Sequence, residues 1–379
     1  MGAEVVKIEG VRPLDHTREV GPFTDDTRSR NRSGYFNSVN GAKKSVALQL
    51  NDSAQAALAR ELAVTSDIVV ESFMAGSMER FGLGFAALAA ENPRLVMISC
   101  SGFGRTGPMA AHSAYMNTVA AYVGLTALNS GDGFPTPVGA TFSDLVAGTS
   151  IAYAALLGVR RARATGRGAW VDISMAEASM ALMGEPFMTH FAGAAAASAS
   201  TGQFAPRGVY RTSGDDKWIA VSVRTDAQWA SLIAVMGNQD LATGDMLSAN
   251  EGRIEHSSTI DAAIAAWARN FDNIELTERL QAAGVPAAPA SDPEDVIRNP
   301  HFLARGAVAP QDDPLEPGHL LPNLPWHFGG FPGLDSALPR APRLGEHNDD
   351  VLATRTDVES QLLDHLNAAA AIAAVGPEP

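Results

Sequence analysis

Cysteine is almost absent from this 379-residue chain: Cys100 is the single one. One thiol can form neither an internal disulfide nor a thiolate metal cluster, and it suits a reducing compartment. Basic residues are also scarce, with 28 Lys and Arg against 42 Asp and Glu for a formal charge of −14. Such a surface repels a polyphosphate backbone, so nucleic acid is excluded as the expected partner. The largest basic cluster, Arg160-Arg161-Ala162-Arg163, closes an apolar helical run, where cations complement the negative end of the helix dipole. None of the nine histidines falls in an H-x-x-x-H or H-x-x-E-H arrangement, so a metal site has no signature. No uninterrupted apolar run approaches the roughly 18 residues of a membrane span. The strand-like segment Gly2 to Glu9 follows Met1 directly, with no signal peptide ahead of it. The expectation is a cytoplasmic protein with no membrane partner.

Hydrophobic residues make up 46% of the chain, enough for a sizeable core, and the length favours two domains. β-Branched runs alternate with helical stretches through the first half, the pattern of a parallel sheet with crossover helices. Strands are predicted at Ala3 to Glu9, Asp67 to Ser72, Leu95 to Ser101 and Trp170 to Ser174. Helices are predicted at Ser53 to Val64, capped by Asn51-Asp52-Ser53, and at Leu145 to Ala164, stopped by Thr165-Gly166-Arg167-Gly168. The fold class is therefore doubly wound α/β: a large domain over 1–200, a smaller α+β domain over 201–309 that opens with a hairpin, and a linker with a C-terminal segment over 310–379. Helices around Ala227 to Met236, Ser258 to Asn270, Ile274 to Ala283 and Val358 to Ala373 complete the reading.

Gly102-Phe103-Gly104-Arg105-Thr106-Gly107 matches the G-x-G-x-x-G string of dinucleotide sites. Pro108 argues against that assignment, because the third glycine of the fingerprint belongs inside a helix and Gly107-Pro108 favours a turn. A loop at the carboxyl end of a strand is the preferred reading, and such loops are where α/β sheets bind ligands. Cys100, among apolar strand residues, reads as buried packing. Asp144 lies between an apolar approach and an alanine-rich helix, so on its own it reads as an N-cap. The same position suits a catalytic carboxylate kept ionised by the helix N-terminus, and spacing alone leaves both open.

Several segments, in order, carry a resemblance: Gly2-Ala3-Glu4-Val5-Val6-Lys7-Ile8-Glu9, Val70-Glu71-Ser72-Phe73, Arg80-Phe81-Gly82-Leu83-Gly84, Asn92-Pro93-Arg94-Leu95, Ser101-Gly102-Phe103-Gly104, Thr165-Gly166-Arg167-Gly168 and Ala341-Pro342-Arg343-Leu344-Gly345-Glu346-His347. Together they resemble the family III CoA-transferases, the group with formyl-CoA and carnitine CoA-transferases. The resemblance implies a Rossmann-like large domain, a smaller α+β domain and a C-terminal segment returning to the large one, with acyl-coenzyme A and a carboxylic acid as substrates, no metal, and an interlocked homodimer. It aligns Asp144 with the family's catalytic aspartate. It aligns Arg18, Leu48, Gln49, Asn51, Ser72, Phe73, Met74, Arg80, Ser101, Gly102, Phe103 and Gly104 with positions that contact CoA. Guanidinium would serve phosphates there, and backbone N–H or the Phe73 and Phe103 rings the adenine and pantetheine. Asn51 stands where the family can have lysine and Ser72 where it usually has asparagine. The family's first strand and its Gly-Pro turn have no counterpart ahead of Gly2.

In the chemistry the resemblance implies, Asp144 carries the acyl group as an anhydride and then CoA as an aspartyl thioester. The oxyanion donors are assigned to backbone near Gly139, Gly148 or Gly202. A 2-methylacyl-CoA racemase shares the fold, but it needs a histidine base in a Gly-His-Asp string, and this chain has Ala114-Tyr115-Met116 there. Tyrosine, with a pKa of about 10, is a poor base at neutral pH, so transfer is preferred. A non-catalytic CoA-binding subunit is the other alternative; retention of Asp144 argues against it and the missing first strand for it. Phe187, Met188 and Phe191 read as core packing rather than an acyl pocket.

Overall fold

Five short runs become parallel strands in a computed structural model, which describes residues 2–23, 29–129, 133–139, 141–191, 204–238, 241, 245–315, 317–327 and 338–375. They are β1 (Val6–Glu9), β2 (Lys44–Ala47), β3 (Ile68–Glu71), β4 (Val96–Ser101) and β5 (Ala169–Ser174). β1 pairs with β2, and β3, β4 and β5 form a three-stranded parallel ladder with β4 in the middle. Parallel neighbours need a crossover, and each connection carries helix: Gly34–Val39 before β2, Phe85–Glu91 before β4, and a long helix, Phe142–Thr165, before β5. The result is the α/β fold that the alternation of runs implies.

β4 is buried along nearly its whole length, as a central parallel strand requires. Met97 faces a core of Leu58, Leu62, Leu83, Leu88 and Leu95. Val96 and Ile98 face the long helix through Ile151, Ala154, Ala155 and Val159. Gly158 permits that packing, since a Cβ there would come within 2.6 Å of Val96 Cγ1. The helix ends at Gly166, whose left-handed φ of 71° and N–H bond to Ala162 O form the glycine terminator.

The chain divides into two compact units, Met1–Met188 with Ala309–Pro379, and Thr189–Val308. In the second, β6 (Arg207–Arg211), β7 (Trp218–Ser222) and β8 (Ala287–Ala290) form an antiparallel sheet over Ile219, Val221, Leu232, Ile260, Ile264 and Leu276. In the first, the Ala341–His347 segment has a structural part. Gly345 N–H donates to Ser45 Oγ at 3.0 Å, His347 N–H to Ser45 O at 2.9 Å, and Ala47 N–H to Asn348 Oδ1 at 2.8 Å. The last two bonds satisfy backbone groups of β2 that would otherwise form an open strand edge.

Two sequence readings are corrected here. β2, whose Lys-Ser-Val-Ala is too short to stand out, was not among the predicted strands, although Ser45 and Val46 are fully buried. The long helix is also long and apolar enough to cross a membrane by length and composition, contrary to the expectation that no span comes near; its sheet-facing stripe packs on β4 and β5. The alanine-rich tract Ala192 to Ser200 lies outside the described residues.

Candidate active site

The long helix runs antiparallel to β5, which it precedes, so its N-terminus lies at the carboxyl ends of β4 and β5. Asp144 is in its first turn. The cap itself is Thr141, held in the left-handed region at φ 50°, a conformation that costs a β-branched residue roughly 1–2 kcal/mol. The N-cap reading of Asp144 is therefore corrected. The carboxylate is exposed on its own chain, yet the surrounding protein desolvates it enough to raise its pKa above the ordinary aspartate value. Desolvation disfavours the ionised form, the opposite of what the helix dipole does at this end. Beside it the space is open: a Cβ at Gly148, one turn on, would meet nothing within 4 Å, and the same holds at Gly139. Gly202 lies outside the described residues.

Cys100, near the end of β4, is buried, and burial pushes its thiol up to about 11. The negative charges of Asp144, Glu71 and Asp172 add to that shift, which places three carboxylates around one strand end.

The loops after β3 and β4 bring two groups of CoA-aligned residues onto adjacent strands. After β3, Ser72, Phe73 and Met74 are all exposed, with the Phe73 ring edge-on to Phe81 at 5.9 Å. After β4, Ser101, Gly102 and Phe103 are half-buried and Gly104 is buried; Phe103 meets Tyr122 edge-on at 4.9 Å. Arg80 is exposed and donates to Ser77 Oγ at 2.9 Å.

After β2 the aligned positions fare differently. Leu48 is core, and its N–H donates to Glu9 O. Gln49 N–H donates to Gln55 Oε1, and its side-chain amide is tied to Val11 N–H and to Arg12 N–H and C=O. A CoA contact at these two positions therefore cannot use their backbone N–H groups, and the Gln49 amide is engaged with the Val11–Arg12 backbone, whereas Asn51 is exposed.

Arg18 requires a correction. Its side chain is 0% exposed, and all five guanidinium hydrogens have partners: both Glu9 carboxylate oxygens, Asn31 Oδ1, and the carbonyls of Arg30 and Pro342. The group lies 3.6 Å from the Phe36 ring centroid. No donor remains for a phosphate. The aligned position holds the chain's ends together instead.

The sequence reading passed over Arg105, Glu71 and Asp172. Arg105 pairs with Glu71, and its N–H donates to Asp172 Oδ2 at 2.9 Å. Arg105 stands inside the G-x-G-R-T-G string, and an arginine in a strand-end loop was the available signal. The reading of Phe187, Met188 and Phe191 as core packing is also corrected, since all three are exposed, Phe191 by 79%.

A helix N-terminus presents a carboxylate at the end of a parallel sheet, with the Phe73 and Phe103 loops on neighbouring strands, and the family model of CoA-transferase family III matches residues 1–348. The chain belongs to CoA-transferase family III. Membership in this family implies CoA thioesters as substrates. The chain is 31% identical over 359 residues to the succinyl-CoA–D-citramalate CoA-transferase of Chloroflexus aurantiacus, covering 92% of this chain and 86% of that one. It is also 31% identical to the acetyl-CoA:oxalate CoA-transferase of Acetobacter aceti, over 91% of this chain and 87% of the relative. A solved CAIB/BAIF family protein from Brucella suis superposes with a TM-score of 0.83 at 26% identity, covering 93% of this chain and 92% of that one.

Proposed function

We propose that this family III enzyme moves CoA from an acyl-CoA donor to a small carboxylic acid with Asp144 as the covalent nucleophile. The observation that carries the reading is Asp144 itself: a carboxylate in the first turn of a helix, out of the cap, with open space at Gly148. Attack of Asp144 on the donor thioester carbonyl forms an acyl-aspartyl anhydride and releases CoA thiolate. The thiolate attacks the aspartyl carbonyl, giving an aspartyl-CoA thioester and freeing the donor acid. The acceptor carboxylate attacks that thioester, forming a new anhydride and thiolate. Attack of the thiolate on the acceptor's acyl carbonyl then yields the new acyl-CoA and regenerates Asp144. Holding thiolate and anhydride together supplies much of the acceleration, and exclusion of water protects the anhydride.

The relatives' names point to succinyl-CoA or acetyl-CoA as donor and short di- or hydroxycarboxylates as acceptors. The acting species is a pair of identical chains. In support, the long helix carries exposed Leu145, Tyr153, Leu156 and Leu157 on one face, an apolar stripe that a soluble protein covers.

Incubation with succinyl-CoA and hydroxylamine tests the nucleophile. The expected product is a hydroxamate on the peptide containing Asp144, and Asp144→Ala should lose transfer while still binding CoA. Transfer that persists in that variant rejects the assignment.

A further inference from the structure

In the register of the central ladder, Glu71 of β3, Ser99 of β4 and Asp172 of β5 stand side by side in one row. Ser99 is buried and its Oγ accepts from Trp170 Nε1, so the row is polar where its neighbours on β4 are apolar. Two carboxylates thus flank the strand that leads into the Ser101–Gly104 loop. The residue that answers them is Arg105, at the far end of that loop. Its guanidinium pairs with Glu71, with side-chain exposures of 5% and 3%, and its backbone N–H donates to Asp172. The second oxygen of Glu71 accepts from Phe73 N–H at 2.8 Å, and Arg105 reaches Phe73 O at 3.5 Å.

Both loops therefore end on the same ion pair. The β3 loop is fixed through Phe73 to Glu71, and the β4 loop through Arg105 to Glu71 and to the β5 strand. A buried pair with two extra backbone anchors holds a distance better than flexible surface contacts, because a charge removed from water accepts few alternative geometries. Among the described residues Arg105 Nε is buried without a partner. We infer that Arg105 is a positioning residue: its pair with Glu71 sets the spacing between the Ser72–Met74 and Ser101–Gly104 loops and so the affinity for CoA. This rests on the reading that these loops hold CoA.

The test compares Arg105→Gln, Arg105→Lys and the double variant Arg105→Gln/Glu71→Gln in the full chain. CoA itself is the ligand for Kd, and succinyl-CoA the donor for kinetics. Misplacing a binding loop by a fraction of an ångström should raise the Kd for CoA and the KM for succinyl-CoA about tenfold or more in Arg105→Gln, with kcat and the acceptor KM within about threefold. Arg105→Lys, which keeps the charge, should recover most of the affinity. The double variant removes the uncompensated carboxylate; it is the one to read if Arg105→Gln does not fold, and its Kd should rise equally. A folded Arg105→Gln or double variant that binds CoA as tightly as the unaltered chain overturns the inference, as does a loss of kcat at constant Kd. The unaltered chain separates this from the reading beneath it. If it binds CoA but transfers nothing, the transfer chemistry fails while the Kd comparison still decides about Arg105; if it binds no CoA, both fall.

Discussion

Arg18→Ala separates a phosphate contact from a structural post. The substitution removes five hydrogen bonds and the stack on Phe36, and leaves the Glu9 carboxylate, itself 0% exposed, with Ser45 Oγ as its remaining side-chain partner. Breaking a buried ion pair from one side costs about 3–5 kcal/mol, because the surviving charge is desolvated and uncompensated. Set against the roughly 5–15 kcal/mol that holds a typical domain, this is about a fifth of the margin or more. Three segments loosen together: β1 through Glu9, the loop at Asn31, and the C-terminal segment through Pro342. Urea unfolding followed by circular dichroism at pH 7 measures the loss. The double variant Arg18→Met/Glu9→Gln, which removes both charges at similar volume, should recover part of it. A loss below about 1 kcal/mol, accompanied by a large drop in CoA affinity, would refute the reasoning and return the guanidinium to the phosphates.

The remaining predictions concern Asp144 and the long helix. Burial raises the folded-state pKa of Asp144, so the protonated form is favoured in the fold, and its stabilising effect is full below the unfolded value of about 3.9 and lost as pH rises through the folded value. Asp144→Asn should therefore unfold at a higher temperature than the unaltered chain at pH 7, with the gap closing below pH ~3.9; a gap of opposite sign at pH 7 contradicts the burial account. The acid limb of kcat/KM should likewise lie above the usual aspartate range, since the nucleophile must be ionised, and a limb at or below that range would show the dipole winning. In sedimentation the chain should run at twice its own mass, and Leu156→Glu, a charge on the exposed stripe, should shift it toward single chains; an unaltered chain that runs alone rejects the pairing.

What the sequence determined by itself was everything written in local pattern. The helix Ser53–Val64 appears with the predicted bounds because Asp52 caps it and Leu58, Ala59 and Leu62 recur at helical spacing. β3, β4 and β5 follow from their Val and Ile runs, and ordered segments along most of the chain were enough to show the family before any coordinate. Tertiary structure decided what depends on partners far along the chain. A guanidinium reads the same in sequence whether it faces solvent or a carboxylate, and only the approach of Glu9, Asn31 and Pro342 removed Arg18 from the phosphate list. The Glu71–Ser99–Asp172 row exists because three strands align in one register, and it turns Arg105 from a loop residue into a pin between two loops. Burial is a sum over neighbours contributed by the whole fold, and for that reason the upward shift of the Asp144 carboxyl could not be read from the residues beside it.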